Sequence, residues 1–206
     1  VARRPSRRRS RPIAAGCGAQ PAADGALWRH ADIANGRLCG VDGAVRPADA
    51  ISLLPADLGQ LHQMMAVMHA AFDPAWGEAW TTPQLAAALG FGHNFGRVAQ
   101  IDGFTAGFSL CRSAGPEVEL LLIAVHPDHQ RLGLGRQLLV AACNDARRRG
   151  AVEMFLEVRE NNAAAQKIYA ASGFAAVGRR PDYYSGEDGA RFGAITMRRS
   201  LDDLLY

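Results

Sequence analysis

The chain has 206 residues, of which 49% are hydrophobic and 21% are charged. This composition supports a hydrophobic core of ordinary size and excludes a wholly disordered chain. No uncharged apolar run approaches the roughly 20 residues of a membrane-spanning helix. We therefore expect a soluble protein with a single folded domain and no membrane partner.

Positive charge is concentrated at the start of the chain. The formal net charge is +3, and six arginines stand among the first eleven residues with no acidic residue between them. Subtracting those six charges from +3 leaves −3 for the rest of the chain. If the protein binds the phosphates of a nucleic acid, we expect this arginine-rich tail to make the contacts. For the folded domain we expect no direct contact with nucleic acid.

Residues 1–50 differ in composition from the rest. They are rich in Arg, Ala and Gly and show no sustained helical or strand period. We predict a disordered extension over 1–50 and a folded domain over 51–206. A transit peptide and a lipoprotein signal ahead of Cys17 are the alternatives, but the apolar run at 13–16 is shorter than the ~7–15 residues of a secretory signal.

The cysteines and histidines do not indicate a disulfide framework or a metal site. Four cysteines are scattered without a CxxC pair, which is typical of a reducing interior and predicts a cytoplasmic protein. His126 and His129 stand three residues apart in the segment HPDH, but no other pair of ligands has suitable spacing. We interpret this segment as a solvated turn and predict no metal.

Two helices and a hairpin open the domain. Apolar residues at helical spacing predict a helix over 58–72. Thr82 as N-cap and Pro83 as first helical residue predict a second helix that ends at Leu89. The dipeptide Asp102-Gly103 is typical of a two-residue hairpin turn, and it joins predicted strands over 97–101 and 104–111.

The second half alternates strands and helices. The strand predicted over 117–125 becomes apolar on both faces, which indicates a central position in the sheet. A helix is predicted over 134–149, with Gly150 as its C-cap. It ends in three arginines, whose positive charges interact favourably with the negative end of the helix dipole. The remaining elements are predicted as a strand over 152–158, a helix over 162–171 that stops at Gly173, and strands over 174–179 and 192–198.

A glycine-rich loop lies between the central strand and the following helix. Gly133 and Gly135 allow the backbone to approach a ligand, and its N–H groups lie at the positive end of the helix. Arg131 and Arg136 add positive charge, so the loop suits a pyrophosphate. A plain strand–helix turn is the alternative. The loop contains neither the GxGxxG dinucleotide-binding pattern nor the Gly-Lys-Ser/Thr of a P-loop.

The second half of the chain contains several spaced motifs, which are Gln130-Arg131-Leu132-Gly133-Leu134-Gly135-Arg136, Leu156-Glu157-Val158-Arg159, Asn161-Asn162-Ala163-Ala164-Ala165, Ile168-Tyr169, Ser172-Gly173-Phe174 and Gly178-Arg179-Arg180-Pro181-Asp182-Tyr183-Tyr184. Together these motifs resemble the GNAT superfamily of acyl-CoA N-acetyltransferases, and within it the RimI type. RimI-type enzymes acetylate the N-terminal alanine of a small-subunit ribosomal protein. The resemblance is dense over 119–197 and thinner over 54–113. It implies an α/β (α+β) fold with a central mixed, mostly antiparallel sheet flanked by helices.

The resemblance also implies roles for individual residues. Glu157 matches the general base of the family and Tyr169 the general acid, while Asn162 matches an asparagine that contacts the coenzyme. From the residues alone, Glu157 has the alternative of an ion pair with Arg159 on the same strand face. Tyr169 has the alternative of a core residue, and Asn162 that of a simple N-cap.

Acetyl-CoA is the co-substrate that the resemblance implies. The strand end is expected to give backbone groups to the pantetheine arm and an N–H to the thioester oxygen, and the loop is expected to hold the pyrophosphate. The expected coenzyme-binding residues are Ile123, Ala124, Val125, Arg131, Leu132, Gly133, Leu134, Gly135, Arg136 and Asn162.

The acceptor cleft is expected between the loop that joins the first two helices and the loop that joins the last two strands. Aromatic residues there would hold a peptide backbone and acidic residues would attract an amine, although covering the edge of the core is an equal alternative for each. These residues are Trp76, Trp80, Tyr183, Tyr184, Asp73 and Glu78.

The function that this combination favours is direct transfer of acetyl from acetyl-CoA to a protein N-terminal α-amine, with a ribosomal protein as partner. One alternative is acetylation of a small amine. Another is a noncatalytic module that senses acetyl-CoA, although the presence of both Glu157 and Tyr169 argues against it.

Overall fold

A computed structural model of the chain describes residues 51–73, 78–185, 189 and 191–202. The predictions for 1–50 and for Trp76 concern residues outside these ranges. None of the helices within them is long and apolar enough to cross a membrane.

The described chain alternates short helices with the strands of one sheet. The elements in chain order are β1 (Ser52–Pro55), α1 (Leu61–Ala71), α2 (Thr82–Gly90), β2 (Asn94–Ile101), β3 (Phe104–Ala114), β4 (Glu117–Val125), α3 (Leu134–Arg148), β5 (Glu153–Arg159), α4 (Ala163–Ala171), β6 (Ala175–Ser185) and β7 (Arg191–Ser200).

The sheet has seven strands in the order β1-β2-β3-β4-β5-β7-β6. Strands β4 and β5 pair in parallel, and the other neighbours recorded for the described strands pair antiparallel. This arrangement confirms the mixed, mostly antiparallel sheet and the central position of β4.

The helices cover both faces of the sheet. Side chains of α3 and α4 pack in one hydrophobic cluster, which includes Leu138 and Tyr169. Side chains of α1 and α2 pack in a second cluster on the other face, which includes Met64 and Leu85. Side chains of β4 enter both clusters, because successive side chains of a strand point to opposite faces. A shift in the pairing with β3 interrupts the alternation, so that Leu121 and Leu122 both enter the second cluster.

The predicted elements are present, but several boundaries differ from the predictions. Strand β6 extends to Ser185, six residues beyond its predicted end, so the prediction that Tyr183 and Tyr184 lie in a loop is wrong and both lie in a strand. The N-cap of α2 is Thr81 and not Thr82, because the Thr81 N–H donates to Gln84 Oε1 (2.7 Å) in a capping box. Strand β1 was not predicted. It is a four-residue edge strand that pairs with β2 from Ser52 to Pro55, and so short a run shows no alternation.

A bidentate ion pair between Arg97 and Asp145 connects α3 to the sheet. Arg97 of β2 donates from Nε and Nη2 to the two carboxylate oxygens of Asp145, at 2.6 and 2.9 Å. Arg148, one turn further along α3, also pairs with Asp145. Burial raises the pKa of Asp145, but the hydrogen bonds from Arg97 and Arg148 outweigh it and hold the pKa below its usual value.

Replacing Asp145 with asparagine is expected to lower the free energy of unfolding by about 1.5–3 kcal/mol near neutral pH. Because the folded-state pKa is depressed, this contribution is present above the unfolded pKa of ~3.9 and is lost as pH falls through the lower folded value. Urea unfolding of both proteins should show a stability difference that shrinks in acid. The exposed Asp128→Asn serves as control, and a difference that persists unchanged in acid would contradict the assignment.

Candidate active site

The central feature of the site is a gap between β4 and β5. The parallel pairing recorded for these strands runs from Glu117 opposite Glu153 to Leu120 opposite Leu156, and no further pair is recorded. Beyond that point β4 continues to Val125 against β3, and β5 continues to Arg159 against β7. The two strands therefore diverge, and each leaves backbone groups facing the gap.

Backbone donors of β4 point into this gap. The His126 N–H donates to the Ala106 carbonyl of β3 (2.8 Å), and hydrogen-bonding direction alternates along a strand. The backbone groups of Ala124 therefore face β3, whereas those of Ile123 and Val125 face the gap. Consistently, the Val125 carbonyl accepts a hydrogen bond from Gln130 Nε2 (3.2 Å).

The loop after β4 ends at an uncapped helix N-terminus. Gly133, the N-cap of α3, has φ 76° and no side chain that could accept from the first turn. The first intrahelical bond runs from the Gln137 N–H to the Gly133 carbonyl (3.0 Å), so the N–H groups before it remain available to a ligand. Arg131 has φ 68°, a left-handed conformation that is uncommon for a residue with a side chain.

A cavity of about 300 Å³ connects the gap to this helix end. Its lining includes Val125, Gln130, Arg131, the segment 133–136, and Ala164 and Ile168 of α4. Leu132, which was also predicted to bind the coenzyme, is not part of this lining. Arg131 and Arg136 line it without an ion-pair partner in the described ranges. Unpaired cations beside a helix N-terminus give the cavity a preference for anions such as a diphosphate.

Glu157 is the first residue of β5 beyond its last pair with β4. Leu156 and Val158 pack in the core beneath α3, so the Glu157 side chain lies on the opposite face, where it is 18% exposed. Its Oε1 lies 3.3 Å from Arg180 Nε and accepts a hydrogen bond from the Thr196 hydroxyl at 3.4 Å. The partially exposed carboxylate thus lies at the edge of the gap.

Arg159, the alternative partner of Glu157, forms an ion pair with Glu78. Arg159 Nε lies 2.6 Å from Glu78 Oε1, and these side chains are 10% and 2% exposed. The Glu78 carboxylate is thus paired with a cation in the interior, and its role toward an acceptor amine stays a prediction. The pair joins the end of the α1–α2 connection to the strand that carries Glu157.

Tyr169 and Asn162 both lie on α4. Tyr169 is fully buried, and its ring packs edge-on against Phe174 at 6.0 Å between centroids. Asn162 is buried and accepts the Ala165 N–H at 3.1 Å, so it is the N-cap of α4. The core and N-cap interpretations thus describe what these residues do for the fold, and their roles toward a coenzyme stay predictions.

Most of the residues that were expected to line the acceptor cleft are buried or half-buried in the structure. Trp80 and Tyr184 are buried at 8% and 4% exposure, and Asp73 and Tyr183 are half-buried. The rings of Tyr183 and Tyr184 meet edge to face with centroids 5.2 Å apart. Tyr183 also lies under the Arg180 guanidinium, which is 5.4 Å from the ring centroid and so connects this aromatic pair to the partner of Glu157.

The HPDH segment forms a short 3-10 turn before the glycine-rich loop. His126 accepts the Asp128 N–H through Nδ1 at 3.3 Å, so this ring nitrogen caps the turn. Within the described ranges no group of three His, Cys, Asp or Glu side chains forms a metal site. The prediction that the protein needs no metal stays a prediction.

Arg180, Thr196 and Gln130 are site residues that the sequence interpretation missed. Arg180 and Thr196 reach Glu157 from β6 and β7, across the sheet, and Gln130 reaches back to β4. Only the position of Arg180 within the Gly178–Tyr184 motif offered a signal, because cross-strand neighbours depend on register, which a single sequence does not determine.

The comparisons with known proteins agree with this geometry. A family model described as "Acetyltransferase (GNAT) family" matches residues 62–174. The [ribosomal protein bS18]-alanine N-acetyltransferase of Escherichia coli K12 is 42% identical over 96 residues, which are 47% of this chain and 64% of that relative. The chain thus matches a little under two thirds of that relative's length.

Two further similarities extend over more of the chain. The N-alpha-acetyltransferase RimI of Mycobacterium tuberculosis is 35% identical over 163 residues, covering 76% of this chain and 95% of that protein. The crystal structure of the ribosomal-protein-S18-alanine N-acetyltransferase from Escherichia coli superposes with a TM-score of 0.67 at 30% identity. It covers 74% of this chain and 94% of the other.

Proposed function

The chain belongs to the acetyltransferase (GNAT) family, and we propose that it transfers the acetyl group of acetyl-CoA to a protein N-terminal α-amine, of the ribosomal-protein-alanine type. The observation that carries this proposal is the gap between β4 and β5, with backbone donors on one side and Glu157 at its edge. The Escherichia coli relative, a [ribosomal protein bS18]-alanine N-acetyltransferase, and the Mycobacterium tuberculosis relative, an N-alpha-acetyltransferase, support this class of acceptor.

Acetyl-CoA fits the cavity by its chemistry. Its diphosphate suits the N-terminus of α3 with Arg131 and Arg136, and its pantetheine arm is a chain of amides that suits the gap-facing backbone of Ile123 and Val125. The Val125 N–H is then the donor for the thioester oxygen, where negative charge develops during attack. Leu132, Leu134 and Gly135 complete the loop, Ala124 supports it through β3, and Asn162 contacts the coenzyme from the start of α4.

Glu157 is the general base in this proposal. An α-amine has a pKa of ~8, so deprotonation near neutral pH needs only modest help. The amine nitrogen forms a bond to the thioester carbon, its proton passes to the Glu157 carboxylate through water, and the carbon–sulfur bond breaks. The departing thiolate takes a proton from the Tyr169 hydroxyl. The two side chains lie on opposite faces of the sheet, and the gap connects these faces.

The cellular setting is part of the proposal. Cys111 and Cys143 are buried free thiols, which suits a reducing compartment. We place the enzyme in the cytoplasm, where newly made ribosomal proteins offer their N-termini. The acceptor is thus a protein or peptide end and not a membrane component.

The test is a mass-spectrometric assay with acetyl-CoA and a peptide that has an N-terminal alanine and one internal lysine. We expect acetyl on the α-amine alone. An N-terminally blocked copy of the peptide is the matched control and should remain unmodified. Transfer only to polyamines supplied in parallel would identify a small-amine enzyme, and binding of acetyl-CoA without transfer to any amine would identify a sensor.

A further inference from the structure

Arg180 contacts Glu157 from two strands away. The sheet order at this end is β5-β7-β6, so β7 lies between the strand of Glu157 and the strand of Arg180. Neighbouring strands are about 4.8 Å apart, and the backbones of β5 and β6 are therefore separated by roughly 10 Å. Arg180 Nε nevertheless lies 3.3 Å from Glu157 Oε1. The arginine side chain extends across β7 to make this contact.

The register of the three strands leaves a path for this side chain. Thr196 of β7 is paired with Glu157 on one side and with Gly178 on the other, and Ala194 of β7 is paired with Arg180. Paired residues of neighbouring strands have their side chains on the same face of the sheet. The side chains of Ala194 and Thr196 are small, and Gly178 adds none. A long side chain from β6 can therefore lie over β7 at this place.

An irregularity in β6 supports the guanidinium from its other side. Three residues lie between Arg180 and Tyr184, whereas one residue lies between their partners on β7, and Asp182 in this bulge has φ 54°. In a regular strand, side chains three residues apart point to opposite faces. The bulge instead brings the Tyr183 ring to Arg180, whose guanidinium carbon lies 5.4 Å from the ring centroid. This cation–π contact favours the position in which Arg180 meets Glu157.

Charged and polar groups approach Glu157 from several elements. Arg180 comes from β6, and the Thr196 hydroxyl of β7 donates to the same oxygen, Glu157 Oε1, at 3.4 Å. Arg159, two residues further along β5, pairs with Glu78 of the α1–α2 connection at 2.6 Å. Arg180 thus places a positive charge at the Glu157 carboxylate, whereas the charge of Arg159 is balanced by Glu78.

We propose that Arg180 is a positioning residue for the reaction, which holds the Glu157 carboxylate ionised at the gap between β4 and β5; this rests on the proposed function. Glu157 is 18% exposed, and a coenzyme and a peptide bound at the gap would shield it further from water. Loss of water disfavours the charged form of a carboxyl group, and a cation within ~4–6 Å favours it. Arg180 therefore compensates the loss of water when Glu157 has to accept a proton.

The test is the pH dependence of kcat for acetylation of a peptide α-amine, at saturating concentrations of acetyl-CoA and peptide. In Arg180→Gln the carboxylate loses a neighbouring cation and is protonated more readily. We expect the acidic limb of the profile to move to higher pH by about 0.5–1 pH unit, which lowers kcat roughly 3–10-fold on that limb. At alkaline pH, kcat should stay within about 2-fold of that of the unmodified enzyme.

Two further variants test whether the charge is responsible. Arg180→Lys keeps the positive charge, so it should move the acidic limb less than Arg180→Gln does. Arg179→Gln is the matched control, because Arg179 is the preceding residue of β6 and is 63% exposed, compared with 60% for Arg180. Arg179 Nε donates to Glu160 Oε2 at 2.9 Å and not to Glu157. Its pH profile should coincide with that of the unmodified enzyme.

The outcomes separate this inference from the proposed function. An unchanged acidic limb in Arg180→Gln would overturn the role of Arg180 and leave acetyl transfer untouched. A loss of kcat that is equal at every pH would overturn it as well, because such a loss reflects altered structure and not a lost charge. Melting temperatures of the variants, measured in parallel, identify a folding defect. Absence of acetylation by the unmodified protein would overturn the proposed function and this inference with it.

Discussion

Replacing Glu157 with glutamine is expected to lower kcat/KM for acetylation of a peptide α-amine by roughly 10²–10⁴-fold, the range that a positioned general base contributes. Glutamine keeps the shape of the side chain and its neighbours Arg180 and Thr196, but it cannot accept the amine proton. The loss should fall mainly on kcat, and it should diminish at high pH, where a larger fraction of the amine is already neutral. Steady-state kinetics across pH with a saturating concentration of acetyl-CoA measures both effects.

Glu153 is the matched control for this substitution. It lies four residues earlier on the same strand and the same face, and it forms an ion pair with Arg198. Glu153→Gln removes a carboxylate of similar exposure away from the gap, so its activity should stay within about 2-fold of the unmodified enzyme. Full activity in Glu157→Gln, with a normal melting temperature, would show that another group accepts the proton.

Replacing Arg159 with methionine is expected to lower the free energy of unfolding by about 3–5 kcal/mol. The Glu78 carboxylate, 2% exposed, would lose the guanidinium 2.6 Å away and would remain buried. Urea unfolding monitored by tryptophan fluorescence measures the change. The double variant Glu78→Gln with Arg159→Met should recover part of the lost stability, because it also removes the charge of the buried Glu78 carboxylate.

The exposed pair of Arg198 with Glu153 provides the comparison. Arg198 is 49% exposed, and Arg198→Met should cost only about 0–1 kcal/mol. A loss of similar size in Arg159→Met would mean that solvent or another cation compensates Glu78. The functional consequence is also specific, because Glu78 lies in the connection between α1 and α2 and its pair with Arg159 holds that segment against the strand that carries Glu157.

Local patterns in the sequence predicted the parts of the fold that depend on neighbours along the chain. Asp102-Gly103 predicted the hairpin, and both residues adopt the positive φ angles that its turn requires. The apolar character of 117–125 predicted a central strand with the bounds that β4 has. The loop around Gly133 was placed correctly at the start of α3, because the amphipathic period begins directly after it. These features depend on the propensity and periodicity of residues that are close together in the sequence.

The tertiary structure alone decided which charges meet. Glu157 could pair with Arg159 on its own strand, yet Arg180 lies beside it from β6, and Arg159 is taken by Glu78 from a segment far away in the chain. The edge strand β1 forms by pairing with the backbone of β2, and its own four residues show no alternation of apolar and polar side chains that would predict a strand. The gap at Glu157 likewise arises where β4 and β5 diverge, a property of two strands together. Such contacts depend on register and packing between segments that are distant in the chain. The sequence by itself therefore determined most of the helices and strands, and the tertiary structure determined which charged and polar groups meet at the site.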